Sequence, residues 1–448
     1  MAEEGLLFRL YSMSGNGMPE VIRKTSDVFG VSREIPLTYV ERDHVDDKLL
    51  ENLTRDKHVI IFGSSKQGKT CLRKYCLQDG DYILVQCQNT WDVSKLSESI
   101  LKAAGYEVEV STKQTSEGKA KLSVKAKTGF SLFGFGGEAE GGGEGERSRK
   151  EEKSFEPLDL DPSDPNDLVR ALKAIQFSKY IVLEDFHYLP PETQDAFAFS
   201  LKTIHETSKL TFIIVAVWRE ENRMIVNNGD LAGRVLSVDA DKWGEDDLLK
   251  VFATGEQLLN ITFPLPFKQA LISKALHSIY IVQDCCYKAC MENGIAETQS
   301  QPFNMPATLD AGRLVKEVID EQGARYSSFL TNFAAGFGTT QLEMYKWLLY
   351  PVVTAAIEDL EKGLMYRQIR LSIEEVHPQK SNLNRGNLTQ ALTSVAALQA
   401  KKNIKPFILD YDRSNLRLSI VDKGFLIWLA VQDRHQLLQS LDLPSRYD

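Results

Sequence analysis

The sequence predicts an α/β protein built round a parallel sheet, with a smaller module at its C-terminal end, and three observations predict it. Short apolar runs recur at His58–Phe62, Tyr82–Val85, Tyr180–Leu183 and Phe212–Val217, separated by helix-length stretches near 70–77, 93–104, 166–176 and 192–207. Strands covered on both faces need runs this apolar, and parallel pairing needs a helix between consecutive strands. A glycine-bearing octapeptide joins the first run to the first helix, and the Tyr180 run ends in two carboxylates.

A chain of 448 residues exceeds what one core usually serves, so two or three domains are expected. Its 43% hydrophobic and 26% charged composition excludes collagen-like, coiled-coil and wholly disordered chains. The 53 basic against 62 acidic side chains, net -9, argue against a protein coated in positive charge for nucleic acid; any such contact must be local. Six cysteines (Cys71, Cys76, Cys87, Cys285, Cys286, Cys290) make neither a disulfide framework nor a paired zinc pattern, and no signal peptide opens the sequence, so the cytoplasm is the expected compartment. No window holds the roughly 18 uninterrupted apolar residues of a membrane-spanning helix, which excludes that class.

Taken in order, residues 1–35 carry mixed turn signals and read as a lead-in. Tyr39–Arg42, followed by Leu49, Leu50 and Leu53, reads as a short amphipathic helix near the start of a core domain over 36–242. Between 108 and 157 the rhythm breaks. Ala120, Leu122, Val124 and Ala126 alternate with Lys119, Lys121, Lys125 and Lys127, a strand with one apolar and one lysine face. An aromatic tip Gly129–Phe135 and a Gly/Glu tract Gly136–Glu146, too polar to pack, follow it. This is a hairpin-bearing insertion whose lysines either track an acidic or phosphate-bearing partner or guard an edge strand against aggregation. Residues 243–295 hold several helical patterns, the first opening at Trp243–Asp247, and 296–339 is a linker and helix with two prolines inside 296–310. In the last part, 340–448, a helix near 387–402 precedes the run Pro406–Tyr411, a turn Asp412–Asn415 and the run Leu416–Ile420, the pattern of a winged helix.

Gly63-Ser64-Ser65-Lys66-Gln67-Gly68-Lys69-Thr70 matches GxxxxGK[ST] directly after an apolar strand and before a helix. The glycines let backbone N–H groups turn inward round a phosphate, and the helix presents about half a positive charge at its N-terminus. Lys69 then meets the β- and γ-phosphates, the Thr70 hydroxyl ligates Mg²⁺, and Cys71 completes the nucleotide-binding stretch. A chance glycine turn is the competing reading, and motif, strand and helix together outweigh it. A hydrolysing site also needs a strand-end carboxylate to hold metal and activate water, which Glu184 and Asp185 supply, although a solvated strand terminus is the plainer alternative. The 115 residues from Lys69 to Glu184 fall to 66 once the 49 residues 109–157 are set aside.

Together with EDFHYLP, FIIVAVW, Asp230–Val235 and the C-terminal helix-and-hairpin pattern, these motifs resemble AAA+ ATPases of the origin-recognition type and the related STAND signalling ATPases, over roughly 36–290 and 340–440. The absence of an LSGGQ or NKxD motif favours ATP over GTP. The resemblance implies a three-layer P-loop fold with sheet order 5-1-4-3-2, a helical lid over 243–295, and adenine packed near Tyr39, Val40 and Arg42. It also implies that Arg234 is an arginine finger offered to a neighbouring subunit, so that turnover depends on assembly; a surface arginine, or one paired with Asp230 or Asp239, is the alternative. Three departures stand out. Glu184 then Asp185 reverses the usual acidic order, leaving the two roles open. Among Val217, Trp218, Arg219 and Asn222 the polar sensor is not obvious, Arg219 being the candidate. In the lid, Ser278–Val282 stands where a second sensor arginine is expected, which favours a switch over a motor.

Three weaker features remain. His187 either couples phosphate sensing to the next helix or simply packs. Cys285, Cys286 and Cys290 are spaced for core packing rather than for one ion. Residues 366–448 carry 12 basic against 8 acidic side chains, net +4, leaving -13 on the remainder. That polarity permits DNA contact, yet Asn387–Ser394 offers no arginine to a groove, while Lys401, Lys402, Arg413 and Arg417 gather near the wing. The sequence therefore predicts an ATP- and Mg²⁺-dependent ATPase switch in which lid closure assembles the protein with itself or with a protein effector, as in bacterial antiviral defence. The alternatives are a DNA-bound loader or transposition regulator, and an inactive nucleotide-binding scaffold.

Overall fold

The computed structural model describes residues 21–30, 34–114, 120–126, 157–338 and 340–445. The chain divides into two compact units: one formed by 46–63 and 73–239, the other by 64–72, 240–448 and the residues up to 45.

In the first unit the strands are β1 (His58–Phe62), β2 (Tyr82–Gln86), β3 (Tyr106–Gln114), β4 (Ala120–Ala126), β5 (Leu158–Leu160), β6 (Tyr180–Glu184), β7 (Phe212–Val215) and β8 (Val235–Asp239). Five of them form a parallel sheet in the order β2-β6-β7-β1-β8, with Val182 opposite Ile213, Ile60 opposite Ile214 and Ile61 opposite Val238. Counting only these five gives the order 5-1-4-3-2. β1 and β7 are buried along their whole length because helices cover the sheet. Helices Val93–Ala103, Pro165–Ala174 and Pro191–Thr207 contribute Leu96, Ile100, Leu168, Leu172, Phe197 and Leu201 to one core with Ile60, Ile181 and Phe212. β8 lies outside the apolar runs of the sequence because Ser237 interrupts it; the Ser237 hydroxyl donates to the Glu221 carbonyl at 2.6 Å.

β3, β4 and β5 make a separate antiparallel sheet, with Val124 opposite Val108 on one side and Leu158 on the other. Leu122, Val124 and Ala126 are buried and Lys125 is exposed, as a period-2 strand requires. Lys119, Lys127, the aromatic tip and the Gly/Glu tract lie outside the described residues.

The second unit is mainly helical. Its core joins helices Glu245–Leu259, Leu265–Lys274 and Ile279–Glu292 to Ala311–Asp320, Gly323–Ala334, Met344–Thr354 and Lys423–Val431. Cys285, Cys286 and Cys290 are fully buried in it. Near the C-terminus, Leu364–Met365, Arg417–Ile420 and Leu409–Asp412 form a three-stranded sheet beside helices Tyr366–Val376, Arg385–Thr393 and Val395–Lys401. The single helix expected over 387–402 is thus broken at Ser394.

Three expectations need correction. Part of the lead-in is built into the fold: Lys24 bridges Glu297, the Thr25 hydroxyl donates to the Ile295 carbonyl at 2.7 Å, and Phe29 is buried against Phe263. Tyr39–Arg42 is not helical; the helix begins at Asp46. The Arg42 guanidinium is instead drawn 4.0 Å over the Trp243 ring and donates to the Ala240 carbonyl at 3.0 Å, contacts a regular helix would forgo. Within the linker, Phe303–Asn304 pairs in parallel with Ile261–Thr262. Among the described residues no helix is long and apolar enough to cross a membrane.

Candidate active site

The octapeptide Gly63–Thr70 turns through positive φ at Gly63 (142°) and Gly68 (83°), which glycine adopts without strain, and at Lys66 (60°), a left-handed conformation uncommon for a non-glycine residue, and runs into helix Lys69–Cys76. Within the helical unit, Lys69 is nearly buried and folds back so that Nζ donates to the Ser64 carbonyl at 2.5 Å. Asp241 accepts from the Ser64 N–H at 2.7 Å and its hydroxyl at 2.6 Å. Trp243 Nε1 donates to the Gln67 carbonyl at 3.3 Å, and Gln67 Nε2 donates to Ser278 Oγ at 3.2 Å. The Ser65 N–H donates to the Val421 carbonyl at 2.8 Å; Lys66 Nζ lies 4.0 Å over the Tyr280 ring and donates to Gln322 Oε1 at 3.2 Å. Of the residues expected near adenine, Val40 and Arg42 are buried in this same unit and Tyr39 is half-buried. Thr70 is exposed and Cys71 half-buried.

Within the sheet unit, β6 ends with Glu184 opposite Gln86. The Glu184 carboxylate is buried and accepts from Arg73 Nε at 2.9 Å, while the Arg73 guanidinium lies 4.8 Å over the Tyr82 ring. Asp185 leaves the strand at φ 57°, is half-exposed, and accepts from Gln86 Nε2 at 3.2 Å. His187 is buried with its ring 4.1 Å from that of Tyr188. Arg219 is exposed. Arg234 stands at the N-terminal edge of the sheet, its carbonyl accepting from the His58 N–H. Its guanidinium donates to Glu206 at 2.9 Å and to the Asp230 carbonyl, whereas the Asp230 carboxylate pairs with Lys202 at 2.5 Å. The partner is therefore Glu206 rather than the carboxylate of Asp230 or Asp239.

Reading the sequence misses four of these residues: Asp241, Trp243, Arg73 and Glu206. An arginine one turn beyond Lys69, on a helix that must bury one face, was the available signal for Arg73; the others depend on pairings far apart in the chain. Mg²⁺ takes oxygen ligands, and within the sheet unit the Asp185 carboxylate fits that chemistry, while Glu184 is already held by a cation. Among the described residues no cluster of three or more His, Cys, Asp or Glu side chains could hold a metal, so a metal here would need phosphate oxygens to complete its shell. Near the expected wing, Arg417 donates to the Lys362 and Gly363 carbonyls, and Lys401 Nζ sits 5.1 Å from the Phe337 ring.

Neither a family model nor a curated protein matches the sequence. Solved structures do match the fold. A Walker-type ATPase of Pyrococcus abyssi aligns over 90% of this chain and 100% of its own, with a TM-score of 0.51 and 14% identity. The Aeropyrum pernix Orc1 protein, solved in complex with DNA, aligns over 93% and 98% with a TM-score of 0.43 and 12% identity. A STAND protein with a tetratricopeptide repeat sensor from Pyrococcus horikoshii aligns over 91% of this chain and 46% of its own, with a TM-score of 0.35 and 11% identity. The fold is that of the P-loop ATPases.

Proposed function

We propose that a chain with this P-loop ATPase fold is an ATP-binding and hydrolysing switch whose nucleotide state governs its assembly with itself or with a protein effector. One observation carries the reading: consecutive loop residues Ser64, Ser65, Lys66 and Gln67 are bonded to Asp241, Val421, Gln322 and Ser278, so the phosphate-binding loop is tied to the expected lid and to the C-terminal module. A ligand that re-forms the loop changes those bonds, which is what a switch requires. In this reading Lys69 neutralises the β- and γ-phosphates, loop N–H groups hold them, and Arg42 with Trp243 borders the base. Mg²⁺, when bound, would draw charge from the phosphate oxygens, and Asp185 at the end of β6 would help to hold it. Arg234, held at a partly exposed site by the Glu206 carboxylate and the Asp230 carbonyl, exchanges that carboxylate at little cost for a neighbour's phosphate.

The C-terminal module, read as a winged helix, serves protein contact. Two of the four basic side chains expected to meet DNA, Lys401 and Arg417, are engaged within the module or with Phe337, which gives the loader reading less support. The test measures binding of a fluorescent ATP analogue and turnover in wild type, Lys69→Ala and Asp185→Asn. The reading predicts lost binding in the first and lost turnover in the second; wild-type binding and turnover in both would overturn it.

A further inference from the structure

We propose that Arg73 is a positioning residue that keeps Glu184 out of magnesium coordination and leaves Asp185 as the carboxylate that meets the metal, an inference that rests on the ATPase reading above. The Arg73 side chain is 2% exposed and that of Glu184 12%, and they are joined at 2.9 Å. Among the described residues Arg73 Nη1 is buried without a hydrogen-bond partner, so Glu184 is the carboxylate that compensates this cation. A metal that captured Glu184 would strand a buried guanidinium, which is far more unfavourable than leaving the pair intact. Asp185 differs in each respect. It is half-exposed, its φ of 57° turns it off the strand axis, and its bond to Gln86 is a 3.2 Å contact with a neutral amide that ligand exchange gives up easily. Aspartate tolerates that left-handed backbone better than glutamate. The reversed acidic order then has a physical account: the first acid anchors the buried Arg73, and the second is left for the metal.

The readout is the factor by which Mg²⁺ tightens binding of a fluorescent ATP analogue, with thermal melting of each variant alongside. Asp185→Asn is expected to reduce that factor about tenfold. The paired change Arg73→Met with Glu184→Gln removes both buried charges while keeping shape, and is expected to hold the factor within about twofold of wild type. Arg73→Met alone frees Glu184 to compete for the metal and shifts the factor; Arg73→Lys, which keeps the cation, restores it. Loss of the magnesium effect in the paired variant, with wild type intact, overturns the assignment of Arg73 and leaves the ATPase reading standing. Absence of nucleotide binding in wild type overturns both.

Discussion

The tip of the Phe29 ring fills the space beside Gly255, where a Cβ would stand 2.1 Å from Phe29 Cζ. Glycine in the middle of helix Glu245–Leu259 disfavours the helix by about 1 kcal/mol relative to alanine, so the ring is what the missing side chain serves. Gly255→Ala is therefore expected to destabilise the protein by about 1–3 kcal/mol, as overpacking does, instead of stabilising the helix. Urea midpoints check this, and in a Phe29→Ala background the same change should become neutral or favourable. A raised midpoint with Phe29 in place would refute the account.

His58 is an acid-sensitive element of the sheet. Its Nδ1 accepts from the Phe212 N–H at 3.1 Å, so Nε2–H donates to the Leu201 carbonyl at 3.3 Å. Burial, and then the nearby His205, lower its pKa from 6.5 to about 4. The folded state keeps the ring neutral where the unfolded chain already binds a proton. The contribution of His58 is thus fully present above about pH 6.5 and is lost as pH falls from there to about 4, amounting to about 3 kcal/mol. Stability measured in urea at pH 8, 6 and 5 should show this loss, and His58→Gln should flatten it. Equal pH slopes for the two proteins would contradict the assignment.

Asp241 anchors the loop through two bonds to Ser64. Because nucleotide must exchange these bonds, replacing Asp241 by alanine should tighten ATP binding by up to about tenfold, the equivalent of about 1.4 kcal/mol for bonds to a charged acceptor, whereas Ser64→Ala keeps the backbone bond and should change it less. Titration calorimetry distinguishes the two; equal affinities for all three proteins would remove Asp241 from the site.

Thiol reactivity reads out the fold around the candidate site. Cys71 and Cys76 are half-buried, while Cys87, Cys285, Cys286 and Cys290 are buried, and burial holds each of those four thiols well above its ordinary pKa. A maleimide should label Cys71 and Cys76 in the native protein and the remaining four only after unfolding, and ATP should slow the reaction of Cys71. Mass spectrometry of labelled peptides checks both, and rapid native labelling of Cys286 would contradict the packing.

The parallel sheet could be read from the sequence because β1, β6 and β7 are short apolar runs, the trace left by strands buried on both faces, and the edge strand β2 is nearly as apolar although its Leu84 is exposed. The sequence hid β8 for the opposite reason: Ser237 sits at its centre and finds an acceptor only in the folded chain. The loop was legible because Gly63, Gly68, Lys69 and Thr70 fall at fixed spacing within one octapeptide. Arg73 with Glu184, Arg42 with Trp243 and Arg234 with Glu206 were not, since each joins distant positions and charged residues carry no periodic mark of their partners. Ser394, which divides one expected helix into two, and Arg42, which replaces an expected helix by an irregular segment, are cases where tertiary contacts override local propensity.

The pairing of Val124 with Leu158 brings the chain back beside the point from which it departs. Strands so paired lie about 5 Å apart, so a tight turn can span the gap that residues 127–156 now bridge. The protein thereby has a ready-made port: a fluorescent reporter or affinity handle spliced there would enter and leave through adjacent backbone and leave the five parallel strands unaltered.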